Sequence, residues 1–342
     1  MKERVRNIIN MFFFKMGFFP PERVLSGAQI KEDYKNASQD IREFIIRKYF
    51  NYFALNNDHK GYEKFLFDYG IEINFSTENK SFLNSKGNGA GSLNTFRKVK
   101  KNNDILFEKI YFSHHKDLKH TLFFYDKIYP ILKQYINIPN LNTKIYGDEI
   151  SAIYFTFLNL KRHSSENVLE EKLITISKTL INLKIEESFK PPFYIYNFIE
   201  HSEYRLYREI AKNNLRKFNI DLTELEDILI KSKTVISHGD LNISNVYEDN
   251  IIIDWDSFGI YPIGFDIAYL YQRLLWKGIV DENYNEWVYS NYLDFFTEKD
   301  EMDIFKMNFL IFLYVFSFRL KKASYFKELE NQLRKEITKI IK

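Results

Sequence analysis

Between Ile236 and Leu270 the chain reads ISHGDLNISNVYEDNIIIDWDSFGIYPIGFDIAYL, with Asp240, Asp249, Asp254, Asp256 and Asp266 set in a mostly apolar stretch. A carboxylate removed from water is costly unless it is paired, hydrogen-bonded or bound to a cation. Val246-Tyr247 and Ile251–Ile253 read as short strands, and Glu248-Asp249-Asn250 between them is a hairpin turn signal. That hairpin brings His238, Gly239, Asp240, Asn245 and Asp254 together. Gly239 permits a tight turn beside Asp240. Two carboxylates and an amide in one loop form an oxygen-rich cluster. Mg²⁺ binds such oxygens while keeping waters and substrate phosphates in its shell. The expected compensating charge is therefore a magnesium ion held with a nucleotide, which leaves Asp240 to accept a proton from an attacking hydroxyl.

The same segment resembles the aminoglycoside phosphotransferase and choline kinase group. His238, Asp240, Asn245 and Asp254 match its pattern of His-x-Asp, four residues, Asn, then an apolar strand ending in Asp. Gly259, Pro262 and Asp266-Ile267-Ala268 match the downstream Gly, Pro and Asp-x-Ala. The resemblance implies an α+β, protein-kinase-like two-lobe fold with a small β-rich N-lobe and a larger, mostly helical C-lobe. It implies that Asp240 is the catalytic base, that Asn245 and Asp254 ligate magnesium, and that His238 braces the loop. Asp256 is either a ligand to a second magnesium or a support for the loop. Asp266 caps the helix that follows or ties down the loop. ATP is the implied phosphoryl donor, and a small-molecule hydroxyl is the implied acceptor.

The elements that must position this chemistry are legible in outline. Residues 1–75 read as a helical extension outside the resemblance, 76–158 as the nucleotide-binding lobe and hinge, and 159–342 as the helical lobe with catalytic loop and acceptor site. Ile71–Phe75 and Ile105–Phe112 are strand-like, and Asn102-Asn103-Asp104 signals a hairpin. Gly87, Gly89 and Gly91 between strand-like runs are candidates for backbone contacts to phosphate, though their spacing also suits a plain hairpin tip. Lys109 shares a strand face with Ile105, Phe107 and Tyr111. A lysine among large apolar side chains needs an anion or a route to solvent, and nucleotide phosphates are the natural partner. The glutamate that the family places on the following helix is not evident; Asp117 and Asp126 are the candidate substitutes. Ser165 is placed to cap the next helix, and Ala152–Leu158 reads as a buried strand.

Composition narrows the remaining classes. A net charge of +3 opposes a broad nucleic-acid surface. The absence of cysteine removes disulfides, thiolate catalysis and cysteine-based zinc sites. The apolar run in residues 5–19 is broken by Lys15 and is too short to span a bilayer. It reads as an amphipathic helix packed on the body, with peripheral membrane contact as the second reading. Phe309–Phe318 reads as a buried core helix. A cytoplasmic protein is expected. Residues 276–303 combine eight acids with Trp276, Tyr284, Trp287, Tyr289 and Tyr292. That combination raises the expectation of a cationic acceptor, against the plainer reading of a solvated surface with aromatics turned to the core. The alternative to an enzyme is a non-catalytic nucleotide-binding or scaffold protein of the same fold.

Overall fold

In the computed structural model, residues 26–33, 35, 37–73, 77–83, 92–163, 165–183, 193–320 and 326–341 are described. Residues 5–19 and the candidate phosphate-loop residues Gly87, Gly89 and Gly91 lie outside them. The described chain divides into two units. One holds the residues up to Leu122 together with Pro139–Asn159; the other holds Phe123–Ile138 and the residues from Leu160 onward.

In the first unit, α1 (Gly27–Asp33), α2 (Gln39–Leu55) and α3 (His59–Asp68) precede strands β1 (Thr77–Leu83), β2 (Ser92–Lys101), β3 (Asp104–Phe112), β4 (Leu141–Tyr146) and β5 (Ile150–Thr156). The strands form one antiparallel sheet in the order β1-β2-β3-β5-β4. The expected β2–β3 hairpin is present, with Asn102 at a φ of 54° in its turn. Ile71–Ile73 are not a strand. The Ile71 N–H closes the end of α3 on the Leu66 carbonyl at 3.0 Å, and Gly70 at a φ of 82° makes the turn that allows it. The Asp58 carboxylate caps the start of α3 by accepting from the Gly61 N–H at 2.8 Å. Ile45, Phe50, Tyr62 and Phe65 of the helices share one core with Val99, Leu106, Ile110 and Ile150 of the sheet.

The second unit is mostly helical: α5 (Glu166–Asn182), α6 (Ser202–Arg216), α7 (Leu222–Lys231), α8 (Phe265–Lys277), α9 (Tyr284–Tyr292), α10 (Lys299–Ser317) and α11 (Phe326–Ile341). A helix α4 (Lys116–Phe123) leads into it from the sheet. Ser165 caps α5 as expected, accepting from the Val168 N–H. Phe309–Phe316 on α10 are fully or nearly fully buried, so the expected core helix is borne out. Among the described residues no helix is long and apolar enough to cross a membrane. Four short strands organise the segment around His238–Phe258: β6 (Thr234–Ser237) pairs with β9 (Gly259–Pro262), and β7 (Val246–Tyr247) with β8 (Ile251–Ile252). The fold class is α+β, with an antiparallel β-rich unit and a helical unit, as the sequence led us to expect.

Candidate active site

The segment after β6 is fixed first by glycine and by aspartate. Gly239 sits at a φ of +79°, and a Cβ there would meet the Ser257 carbonyl oxygen at 1.9 Å, so only glycine fits. The Asp266 carboxylate, in the first turn of α8, accepts the N–H groups of His238 at 2.6 Å and Gly239 at 2.9 Å. Its role is therefore to tie down the loop; the residue preceding α8 is Gly264, at a φ of 101°. Burial pushes the Asp266 carboxyl up to about 7 against the opposing pull of those two N–H bonds.

His238 is fully buried against Trp255, with ring centroids 4.4 Å apart. Its Nδ1 accepts the Asp240 N–H at 3.2 Å, which makes Nε2 the protonated nitrogen that donates to the Ile253 carbonyl at 3.0 Å. Burial lowers its pKa to about 4, so the ring is neutral. Both nitrogens are committed to backbone, and His238 joins the loop to the strand that leads into Asp254.

The Asp240 side chain is held by three side-chain donors. Its Oδ1 accepts from the Tyr269 hydroxyl at 2.6 Å and from Asn242 Nδ2 at 2.7 Å; its Oδ2 accepts from Asn245 Nδ2 at 3.0 Å. The Arg273 guanidinium lies 3.9 Å from the same Oδ1. A carboxylate offers about four lone-pair sites, so three side-chain donors leave room for one more. A third of the side chain, 32%, is exposed to receive it. Burial, aided by the nearby negative Asp254, raises the Asp240 pKa, while Tyr269, Arg273 and Asn245 hold it down.

Asn245 turns its Nδ2 towards Asp240, so its Oδ1 is the atom left to face a cation. The Ile253 N–H donates to the Asn245 carbonyl at 3.0 Å, which sets Asn245 beside the start of the Asp254 turn. Asp254 itself adopts a left-handed φ of 64° and is exposed. Asp256 follows in a 3₁₀ turn spanning Trp255–Ser257 and is half-buried. Arg162 also straps the loop, donating to the carbonyls of Ile243 at 2.9 Å and Ser244 at 3.0 Å.

Lys109 belongs to the other unit. Strand alternation puts it on the sheet face of Phe107 and Tyr111, as expected, and it is 7% exposed. Its ammonium stands 5.3 Å from the Tyr111 ring centre and 5.8 Å from that of Phe96. Of the candidate acidic substitutes, Asp117 lies 3.3 Å from His115, and Asp126 is 65% exposed beside Lys127. The opposite face carries what sequence reading missed. Glu108 and Arg97 form a two-pronged pair at 2.8 and 2.9 Å, and Tyr62 and Tyr154 donate to the same carboxylate at 2.8 and 2.7 Å.

Asn242, Tyr269, Arg273 and Arg162 also escaped the sequence reading. Tyr269 was the most accessible of these, because it lies one helical turn after Asp266 on α8. The aromatic residues of 276–303 mostly follow the plainer reading. Tyr284, Trp287 and Tyr292 are buried in the core, with Trp287 donating to Glu170 at 2.7 Å and the Tyr292 hydroxyl 2.7 Å from Ser177.

Residues 186–302, which contain the whole loop from His238 to Asp266, match the model of the phosphotransferase enzyme family. Over that segment the match bears out the resemblance seen in the motif. Among solved structures the chain is similar to an ethanolamine kinase from Plasmodium vivax (16% identity, TM-score 0.43, covering 93% of this chain and 94% of that one). It is also similar to a choline kinase from Cryptosporidium parvum (16%, TM-score 0.44, 78% and 90%). A third is a spectinomycin phosphotransferase complexed with ADP and spectinomycin (14%, TM-score 0.38, 80% and 91%). No curated protein sequence matches the chain.

Proposed function

We propose that this protein is an ATP-dependent kinase that transfers the γ-phosphoryl group to a hydroxyl of a small molecule. The observation that carries the reading is Asp240. It is held by three side-chain donors with one acceptor position open, on a loop locked by His238 and Asp266, within the segment that matches the phosphotransferase family.

In this reading the acceptor hydroxyl donates its hydrogen bond to Asp240. As the oxygen attacks the γ-phosphorus, its proton passes to that carboxylate and the bond to ADP breaks. Burial raises the Asp240 pKa, which makes its carboxylate a stronger base than an exposed aspartate. Asn245 through Oδ1 and Asp254 are the residues that would hold Mg²⁺, with Asp256 a further candidate. Their amide and carboxylate oxygens suit a hard cation, and the repulsion between Asp240 and Asp254 is what a cation would relieve. When bound with the nucleotide, the ion supplies charge against the phosphate oxygens. Lys109 is the proposed phosphate contact in the β-rich, nucleotide-binding unit; Gly87, Gly89 and Gly91 are kept as loop candidates. An ATP donor fits a cytoplasmic enzyme.

The acceptor could be of amino alcohol, aminoglycoside or sugar type. For a cationic one, Asp281 and Glu282 line a cleft of about 420 Å³ with Leu275, Gly278, Val280 and Asn283. The aromatic half of that expectation is weakened, because three of its five rings are core residues.

The test is ADP release by the full chain with magnesium and ATP over a panel of hydroxyl acceptors, alongside Asp240→Asn. The expected loss in the variant is about 10²–10⁴-fold in kcat with nucleotide affinity retained. Nucleotide binding without turnover of any acceptor would move the reading to a non-catalytic nucleotide-binding protein.

A further inference from the structure

Helix α8 runs outward from the loop, and its spacing places Tyr269, Arg273, Trp276 and Lys277 along one face. Tyr269 donates to Asp240, and one turn later Arg273 contacts both: its Nη2 bonds the Tyr269 hydroxyl and stands 3.9 Å from Asp240 Oδ1. From α6, Glu203 Oε1 accepts from Arg273 at 3.3 Å and from Arg319 at 2.5 Å. The Arg319 guanidinium then lies 5.3 Å from the centre of the half-exposed Trp276 ring, and the Lys277 ammonium lies 5.4 Å from it. A continuous path of side chains thus leads from the candidate base to the surface. It carries three cations against the two carboxylates of Glu203 and Asp240.

Donors outnumber acceptors along that path. Two guanidinium groups, with five N–H bonds each, share a single oxygen of Glu203. The Arg273 side chain is 13% exposed, and its Nε is buried with no hydrogen-bond partner among the described residues. A buried guanidinium donor left unsatisfied calls for an explanation. If Arg273 served only to offset the charge of Asp240, its engaged Nη2 would suffice. Nη2 is already shared between Tyr269 and Glu203, so the donors left beside the base are Nε–H and the Nη1 amine, each able to give a charge-assisted bond to a carboxylate.

We propose that the acceptor carries a carboxylate as well as its hydroxyl, and that Arg273, assisted by Arg319, binds that carboxylate while the hydroxyl meets Asp240. The inference rests on the kinase reading and names its substrate class. The 3.9 Å between the Arg273 and Asp240 atoms keeps hydroxyl and carboxylate within a few bonds of each other, as in a small hydroxy acid. It predicts the opposite charge preference from a cationic acceptor.

The experiment compares steady-state turnover by the full chain, with magnesium and ATP, of three matched acceptor sets. These are hydroxy acids such as glycerate and 4-hydroxybutyrate, the corresponding neutral diols and triols, and the amino alcohols ethanolamine and choline. A charge-assisted pair lost or gained is worth roughly 10–100-fold, so kcat/KM should favour the hydroxy acids over their neutral counterparts by at least about tenfold. Arg273→Met should cut that preference to near unity, chiefly through KM, while the KM for ATP holds. Arg319→Gln, at a more exposed position, should cut it in part and guards against a misfolded first variant. A preference for the neutral or cationic sets would overturn the proposal, as would an equal loss on all three sets in Arg273→Met. Equilibrium titration of the same hydroxy acids into the chain saturated with a non-hydrolysable ATP analogue separates the two levels. Nucleotide binding without hydroxy-acid binding overturns the acceptor assignment alone. No nucleotide binding overturns the kinase reading beneath it.

Discussion

Replacing Glu108 with leucine should unfold the β-rich unit at a markedly lower temperature, and the structure sets the size. Glu108 and Arg97 are each 0% exposed. The leucine would leave Arg97 with Glu63 as its remaining acidic neighbour among the described residues, at 2.9 Å, on a side chain that is 28% exposed. Stranding one partner of a buried ion pair costs about 3–5 kcal/mol. The hydroxyls of Tyr62 and Tyr154 lose their acceptor too, at about 1–3 kcal/mol each where no water reaches them. Glu63 recovers part of this, so we take about 4 kcal/mol as the expected loss, which corresponds to about 10 °C in Tm for a unit of this size. Circular dichroism melts of wild type and Glu108→Leu measure it. The combined variant Arg97→Met, Glu108→Leu, Tyr62→Phe, Tyr154→Phe should regain most of the stability, because apolar side chains of similar volume often replace a buried ion pair at little cost. A single Glu108→Leu variant as stable as wild type would refute the reasoning. So would a combined variant no better than the single one.

Two other outcomes follow from the catalytic loop. Gly239→Ala should remove turnover and destabilise the loop, since the new methyl collides with the Ser257 carbonyl at a φ that alanine rarely adopts; retained turnover would show that the loop relaxes freely. His238 should make the chain acid-sensitive. Its folded pKa of about 4 lies below the ordinary 6.5, so the neutral ring is the stabilised form. The contribution is full above pH 6.5 and is lost as pH falls towards 4, by about 3 kcal/mol over that window. Asp266, raised to about 7, acts in the opposite sense, losing stability as pH rises through its own range. The useful quantity is therefore the difference in urea-unfolding free energy between wild type and His238→Gln. It should shrink from pH 7 to pH 4.5, and a flat difference would count against the assignment.

The order of residues was enough to show which loop residues converge, because the elements that carry them are local. His238, Asp240, Asn245 and Asp254 fall within one hairpin's length. A turn signal and a pair of β-branched runs fix which of them converge, and the structure pairs those runs as read. Strand alternation likewise assigned Lys109 to its face. It could equally have flagged Glu108 on the opposite, apolar face as a charge in need of a partner. It could not supply Arg97, Tyr62 and Tyr154, which come from β2, α3 and β5 and meet Glu108 only when the sheet is registered and the helix is docked. The surroundings of Asp240 divide in the same way. Its neighbours in the chain were legible, but the Tyr269 hydroxyl that donates to it and the Arg273 charge beside it, which oppose the effect of burial, arrive from a helix some thirty residues on. The second acid of that cluster, Glu203, arrives from a helix before the loop. Local hydrogen-bonding patterns and periodicity are written in short windows of sequence. The electrostatic environment of a buried group is set by side chains brought together through packing, and only the tertiary structure decides which ones those are.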